Sequence, residues 1–244
     1  MTHKTKGIVL RSIKYGETSL VVTIFTELFG IQTYMVNGVR TSKKSSSKAN
    51  HFQPAAILDL VVYHSESKSM QRIKEFNWAV LYNEVLNSVI KNSIASFMVE
   101  LLQKCLKQPE PNTDLFNFYE DVLMQLDVAD KTVAANLALF ISLQLPHFFG
   151  FRIADNYSTE ISILDLAEGN FTDHLPAHPH FIDGEKAQLT AQLLKVMQPH
   201  ELEFFKLNRE QRRDLLLKYM DYYALHISDF GQMKTLVVLH EVLG

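Results

Sequence analysis

Two hydrophobic periods divide the chain. Over roughly the first 80 residues, apolar positions come in short β-branched runs. These are Ile8 to Ile13, Leu20 to Phe25, Ile31 to Val36, Ile57 to Tyr63 and, most weakly, Met70 to Phe76. Leu58, Leu60 and Val62 alternate with Asp59, as in a half-buried strand. Leu20 to Phe25 is apolar on both faces, as in a strand closed inside a small barrel. Turn residues separate the runs: Tyr15-Gly16-Glu17, Phe29-Gly30 and Asn37-Gly38. Five short strands predict a small barrel of the OB type, although SH3-like barrels have similar strand counts. Arg40 to Lys48 is rich in Ser and Lys and reads as a loop.

After Trp78 the period becomes helical. Leu86, Ile90, Ile94, Phe97, Leu101 and Cys105 form one stripe of a helix over Glu84 to Leu106, which Pro109 and Pro111 terminate. Thr113 or Asp114 opens a second helix running to Leu126. Lys131 to Phe149 is a nearly all-apolar third, with Pro146 breaking it near the end. Residues 152–184 interrupt the pattern with Gly169, Pro176, Pro179 and Gly184. Helical spacing then resumes over Glu185 to Met197, Arg209 to Ile227 and Met233 to Leu243. The expected architecture is α+β: an OB barrel at 1–79, then a helical body at 80–244 with a short irregular insert at about 152–184.

Charge sharpens this division. The first 80 residues hold 11 Lys and Arg against 5 Asp and Glu, whereas the remainder holds 13 against 22. The whole chain sums to −3, so an acidic total conceals a basic front module. That asymmetry points to an anionic partner, most often nucleic acid. A hydrophobic content of 47% suits a globular core. No secretory leader is legible at the start, and no membrane span is expected. Cys105 is the sole cysteine, which rules out an internal disulfide or a Cys-rich zinc site.

An ordered series of residues resembles one family. It runs Gly7-Ile-Val-Leu-Arg11, Tyr15-Gly16-Glu17, Val22-Thr-Ile-Phe-Thr26 with Gly30, Asn37-Gly-Val-Arg40, Phe52-Gln-Pro54 and Ile73-Lys-Glu75. It continues through Leu145-Pro146, Gly150, Tyr222-Tyr223-x-x-His226 and Lys234-Thr-Leu236. The series resembles RecO, the bacterial recombination-mediator and DNA-repair family. The resemblance implies a cytoplasmic, nucleoid-associated protein that binds single- and double-stranded DNA and anneals complementary strands. It implies RecR and the C-terminal tail of single-strand-binding protein as partners, with RecA loading as an indirect outcome. It implies no enzymatic step and no membrane. Many members carry a four-cysteine zinc site in the insert. Residues 152–184 contain no cysteine, so zinc is not carried over, and Phe171, Leu175, Phe181 and Ile182 are expected to hold the insert by packing.

On this reading Lys6, Arg11, Arg40, Lys43, Lys44, Lys48, Arg72 and Lys74 form a phosphate-contacting face. Tyr15, Tyr34 and Tyr63 are the barrel aromatics available to stack unpaired bases, or else to fill the barrel. Lys206, Arg209, Arg212 and Arg213 form a second basic cluster, with Glu210 and Asp214 interleaved as in a solvated, ion-paired face. His174, His178 and His180 fit no standard metal spacing and lie among prolines, so no metal and no cofactor is expected. Nothing marks a nucleophile, a phosphate-binding glycine loop or a carboxylate pair. Two other readings remain. One is a protein adaptor with little DNA binding of its own; the other is an RNA-binding OB protein.

Overall fold

The computed structural model describes residues 1–39 and 46–243, which form two compact units, Met1–Val128 and Ala129–Gly244.

The first unit opens with the barrel. Its strands are β1 (Thr2–Tyr15), β2 (Ser19–Thr26) and β3 (Gly30–Val36), followed by the short helix α1 (Ser46–Ala49), a 3-10 turn (Asn50–Phe52), β4 (Ile57–Tyr63) and β5 (Gln71–Trp78). They close in the order β1-β2-β3-β5-β4, and only β3 and β5 run parallel. This order matches the expected OB barrel. Val9, Val22, Ile24, Tyr34, Leu58, Leu60 and Val62 fill its interior, with Phe52 and Ala56 closing in from the segment before β4.

β1 is six residues longer at its start than its apolar run predicts. Thr2 to Gly7 pair with β4 from Tyr63 to Leu58, although this stretch has almost no apolar content to signal a strand. Gly7 belongs there because a Cβ would meet Ile24 Cγ2 at 2.6 Å and Leu60 Cδ1 at 2.9 Å.

Two helices, α2 (Val89–Cys105) and α3 (Thr113–Val128), follow the barrel; α2 packs on β1, and α3 covers the outward Phe25 of β2. Phe25 points outward and is fully buried, with Phe116 of α3 5.7 Å away between ring centroids. α2 begins later than its stripe suggests. Ser88 caps it, and the stretch before it is held differently: the N–H groups of Asn83, Glu84 and Val85 all donate to the Asp127 carboxylate, at 2.8–2.9 Å. The buried Lys91 ammonium closes the same corner, donating to the Asp127 carbonyl at 2.7 Å and pairing with Glu84 at 2.6 Å.

The second unit is built on α4 (Lys131–Gln144), which Asp130 caps by accepting from Val133 N–H. Pro146 sits in the 3-10 turn Leu145–Phe149 that ends it. Together, Lys131–Phe149 is long and apolar enough to cross a membrane, but 67% of it is buried within the protein, as suits a core helix. The insert is a small sheet in the order β7-β6-β8, formed by β6 (Ile163–Asp165), β7 (Asn170–Thr172) and β8 (Phe181–Ile182). α5 (Gly184–Leu194), a 3-10 turn (Pro199–Phe204), α6 (Arg209–His226) and α7 (Thr235–Val242) complete the unit.

Side-chain packing and amide bonds hold the insert. Leu164, Phe171 and Ile182 are buried, and the Asn156 side chain both accepts from and donates to the Phe171 backbone, each at 2.9 Å. Leu175 departs from expectation: it is 62% exposed and contributes no core. Tyr222, Tyr223 and His226 also have structural work. The Tyr222 hydroxyl donates to the Phe151 carbonyl and the Tyr223 hydroxyl to the Ser142 carbonyl, while the His226 ring bonds the Leu166 carbonyl.

Candidate nucleic-acid interface

Two β-bulges decide which cations face outward. In β1, Lys4, Lys6 and Ile8 point away from the interior, and simple alternation would turn Arg11 inward. The register with β2 slips between Val9 and Arg11, so Leu10 is an extra residue. Arg11 then pairs with Thr23 and is exposed, as are Ile13 and Tyr15 beyond it. The bulge is satisfied from outside the strand: Val9 N–H donates to the Ala56 carbonyl and Ala55 N–H to the Val9 carbonyl. In β5 the pairing jumps from Val61↔Glu75 to Val62↔Ile73, leaving Lys74 as the extra residue. That jump puts Arg72 on the outside opposite Tyr63. Bulges re-aim side chains in this way at functional edges of sheets.

The outward residues line up across the strands. Ile13 pairs with Val21, Val21 with Met35, Met35 with Arg72, and Arg72 with Tyr63. The neighbouring row carries Arg11, Thr23 and Thr33. With strands about 4.8 Å apart, Arg11 and Arg72 stand roughly 15 Å from each other around the surface. Beside Met35, β3 and β5 diverge after only two paired positions, and the gap becomes a hollow. Lys48, Arg72 and Lys74 all line it, with Asn37, Gly38 and Phe76. Lys74 also lies 3.2 Å from Glu75, but both side chains are about half exposed, so this pair is weak and open to exchange.

The remaining candidates fall elsewhere. Lys6 is a correction. Its ammonium donates to both Glu120 oxygens of α3, at 2.8 and 3.1 Å, and this hydrogen bond raises its pKa. It fastens α3 to the barrel, so it is not a free phosphate ligand. Arg40, Lys43 and Lys44 lie outside the described residues. Tyr34 is a second correction. It faces Val22 inside the barrel and is fully buried, and that burial pushes its phenol pKa far up, so it stacks no base. Tyr15 and Tyr63 are about half exposed.

Sequence reasoning missed the loop between β4 and β5. The buried Gln71 amide holds it closed. Its oxygen accepts from Ser65 N–H at 3.0 Å, and its NH2 donates to the carbonyls of Ser65 and Lys68 at 2.8 and 2.7 Å. The polar-to-apolar pattern gave no hint, because Gln71 reads as an ordinary surface position of a weak strand.

In the second unit, Arg209, Arg212 and Arg213 rim a narrow cleft between α4, α6 and α7, floored by Ala135, Ala138, Leu139, Leu216 and Leu239. Lys206 is exposed and does not line it. Asp214 turns away to pair with Lys186 at 2.5 Å, so it does not neutralise the rim. Arg212 Nε and His240 Nε2 are buried there without a hydrogen-bond partner among the described residues. Burial and the neighbouring Arg213 and Arg209 lower the His240 pKa. His178 lies 3.4 Å from Asp165 and His174 2.8 Å from Asp173. No three metal-binding side chains converge among the described residues.

An OB barrel with a cationic hollow on its outer surface, ahead of a helical unit, defines the class: an OB-barrel protein with a helical body. The comparisons narrow it. Residues 1–82 match the model for the recombination protein O N terminal domain, and residues 86–234 match that for its C terminal domain. Three proteins named DNA repair protein RecO align over nearly the whole chain. The one from Azobacteroides pseudotrichonymphae is 30% identical over 99% of both chains. Those from Flavobacterium psychrophilum and Bacteroides fragilis are 33% identical over 100% and 32% identical over 99% of both chains. The chain belongs to the RecO family of DNA repair proteins.

Proposed function

We propose that the protein is a DNA-binding recombination mediator that acts by electrostatics rather than covalent chemistry. The observation that carries this reading is the joint lining of one hollow by Lys48, Arg72 and Lys74, with Arg11 aimed outward across the same surface. Two DNA strands repel through their phosphates; a surface that neutralises several phosphates lowers that cost and releases counterions. These lysines and arginines are assigned to phosphates, and phosphate contacts carry no sequence information, so binding favours no sequence and suits annealing of any complementary pair. Such a protein works on single- and double-stranded DNA in the cytoplasm. Binding of a labelled mixed-sequence oligonucleotide across a salt series tests this. The reading requires a steep linear fall of log affinity with log salt and similar affinity for unrelated sequences; a flat response contradicts it.

The arginine-rimmed cleft of the second unit supports a role for protein partners. A peptide with acidic residues before an apolar free C-terminus matches an apolar slot edged by guanidiniums with an unpaired Nε. The tail of single-strand-binding protein has that chemistry. Docking it here would bring the mediator to coated strands, where RecR contact and RecA loading follow. Calorimetry with the tail peptide and its C-terminally amidated form tests this, with binding expected only for the free carboxylate. Equal binding of both forms would place the peptide elsewhere.

A further inference from the structure

Beside Arg72, on the far side from Lys48 and Lys74, lies a second hollow. Tyr63, Met70, Lys68 and Arg72 line it. Tyr63 is 47% exposed and Met70 40%, so both present apolar surface in the hollow between two cations. The floor is built rather than loose. Gln71 pins the loop through its three amide bonds, and Lys68 N–H donates to the Ser65 carbonyl at 3.1 Å. At the loop's start, His64 stacks on Phe29 with centroids 4.0 Å apart and planes 14° apart. The backbone of the loop that Tyr63 and Met70 bracket is therefore held in place before any ligand arrives.

We propose that this hollow receives one unpaired base of a single DNA strand, stacked on the Tyr63 ring with the Met70 sulfur at its edge, while Lys68 and Arg72 take the flanking phosphates. The inference rests on the reading of the barrel as a DNA-binding surface. An aromatic face accepts any base, so stacking adds affinity without adding sequence preference. Thioether sulfur packs favourably against aromatic rings. A base inside a duplex is already stacked on its neighbours and is unavailable, so the hollow distinguishes single strands from duplexes. Arg72 is shared between this hollow and the one formed with Lys48 and Lys74, which gives one continuous path for the backbone.

Fluorescence anisotropy of the full-length protein tests this, with a single-stranded 20-nucleotide probe, the same sequence as duplex, and an oligomer of abasic sites of equal length. Tyr63→Leu is expected to weaken single-strand binding roughly tenfold and to leave duplex and abasic binding within about twofold. Tyr63→Phe keeps the ring and is expected to bind like the original. A half-exposed position tolerates both changes, and thermal unfolding verifies that each variant is folded. The proposal is overturned if Tyr63→Leu changes nothing, if it weakens all three probes alike, or if Tyr63→Phe is as impaired as Tyr63→Leu. Lys48→Ala/Arg72→Ala/Lys74→Ala in parallel separates the two levels. If that variant flattens the salt dependence while Tyr63→Leu has no effect, only the base site fails; if neither variant has any effect, the barrel reading itself fails.

Discussion

Lys6 and Glu120 form a two-point ion pair between the barrel and α3, with the lysine half exposed and the glutamate largely enclosed. The pair decides a functional question, because a lysine already held by a carboxylate releases no counterion when DNA binds. Glu120→Gln is expected to destabilise the protein by up to about 1 kcal/mol, the upper range for an exposed pair. The same variant is expected to keep or slightly steepen the salt slope of DNA binding, since it frees a cation. Because the folded pKa of Lys6 is raised, this contribution is full below the ordinary lysine value near 10.5 and fades as pH rises through the folded value. Urea unfolding at pH 7 and pH 11, with and without the substitution, checks the sign.

Asp127 governs the acid side. Burial alone would raise its carboxyl, but three backbone N–H donors and Lys91 outweigh this and hold the pKa below the usual carboxylate value. A depressed folded pKa gives stability that is full above the unfolded value of 3.8 and is lost as pH falls through the folded one. Asp127→Asn keeps the shape, removes the charge and replaces one of the two accepting oxygens with an NH2 that faces at least one of the three backbone N–H groups. A loss of about 2–3 kcal/mol at pH 7 is expected, shrinking toward pH 3. Denaturant midpoints across that range check it.

Two backbone positions should respond in opposite directions. Gly30 has φ +61°, and a Cβ there would sit 2.2 Å from the Glu110 carbonyl oxygen. Gly30→Ala is therefore expected to cost more than about 2 kcal/mol, from left-handed strain plus a backbone collision. Ala55 also has a positive φ, +69°, imposed by its seat in the β1 bulge. Ala55→Gly relieves that strain and is expected to gain up to about 1 kcal/mol. Thermal midpoints of both variants measure this; a shift in the same direction for both would contradict it.

Cys105 is buried on α2, and burial pushes its thiol pKa far up. The thiol should resist alkylation in the native protein and react only on unfolding. Rapid labelling under native conditions would contradict its place in the core.

The elements were largely legible because their signals are periodic. Leu58, Leu60 and Val62 alternate, and all three fill the barrel; the α2 stripe from Ile94 to Cys105 is buried as its spacing implies. The bulges were not legible. An extra residue at Leu10 or Lys74 has no compositional mark, yet each one determines whether an arginine faces water. Ion pairing across long separations was equally hidden: nothing near Lys6 in sequence announces Glu120, 114 residues away. Tyr34 was ambiguous between stacking platform and barrel filler because a tyrosine in an alternating strand reads the same pointing in or out. The bulge parity and the register settle these positions, and both depend on partners distant in the chain.

The most direct test compares the salt dependence of single-strand binding for the original protein and Lys48→Ala/Arg72→Ala/Lys74→Ala. Three lost phosphate contacts should flatten the slope of log affinity against log salt by up to about 2, since each contact on a single strand contributes about 0.7. An unchanged slope in a folded triple variant would show that these three cations touch no phosphate.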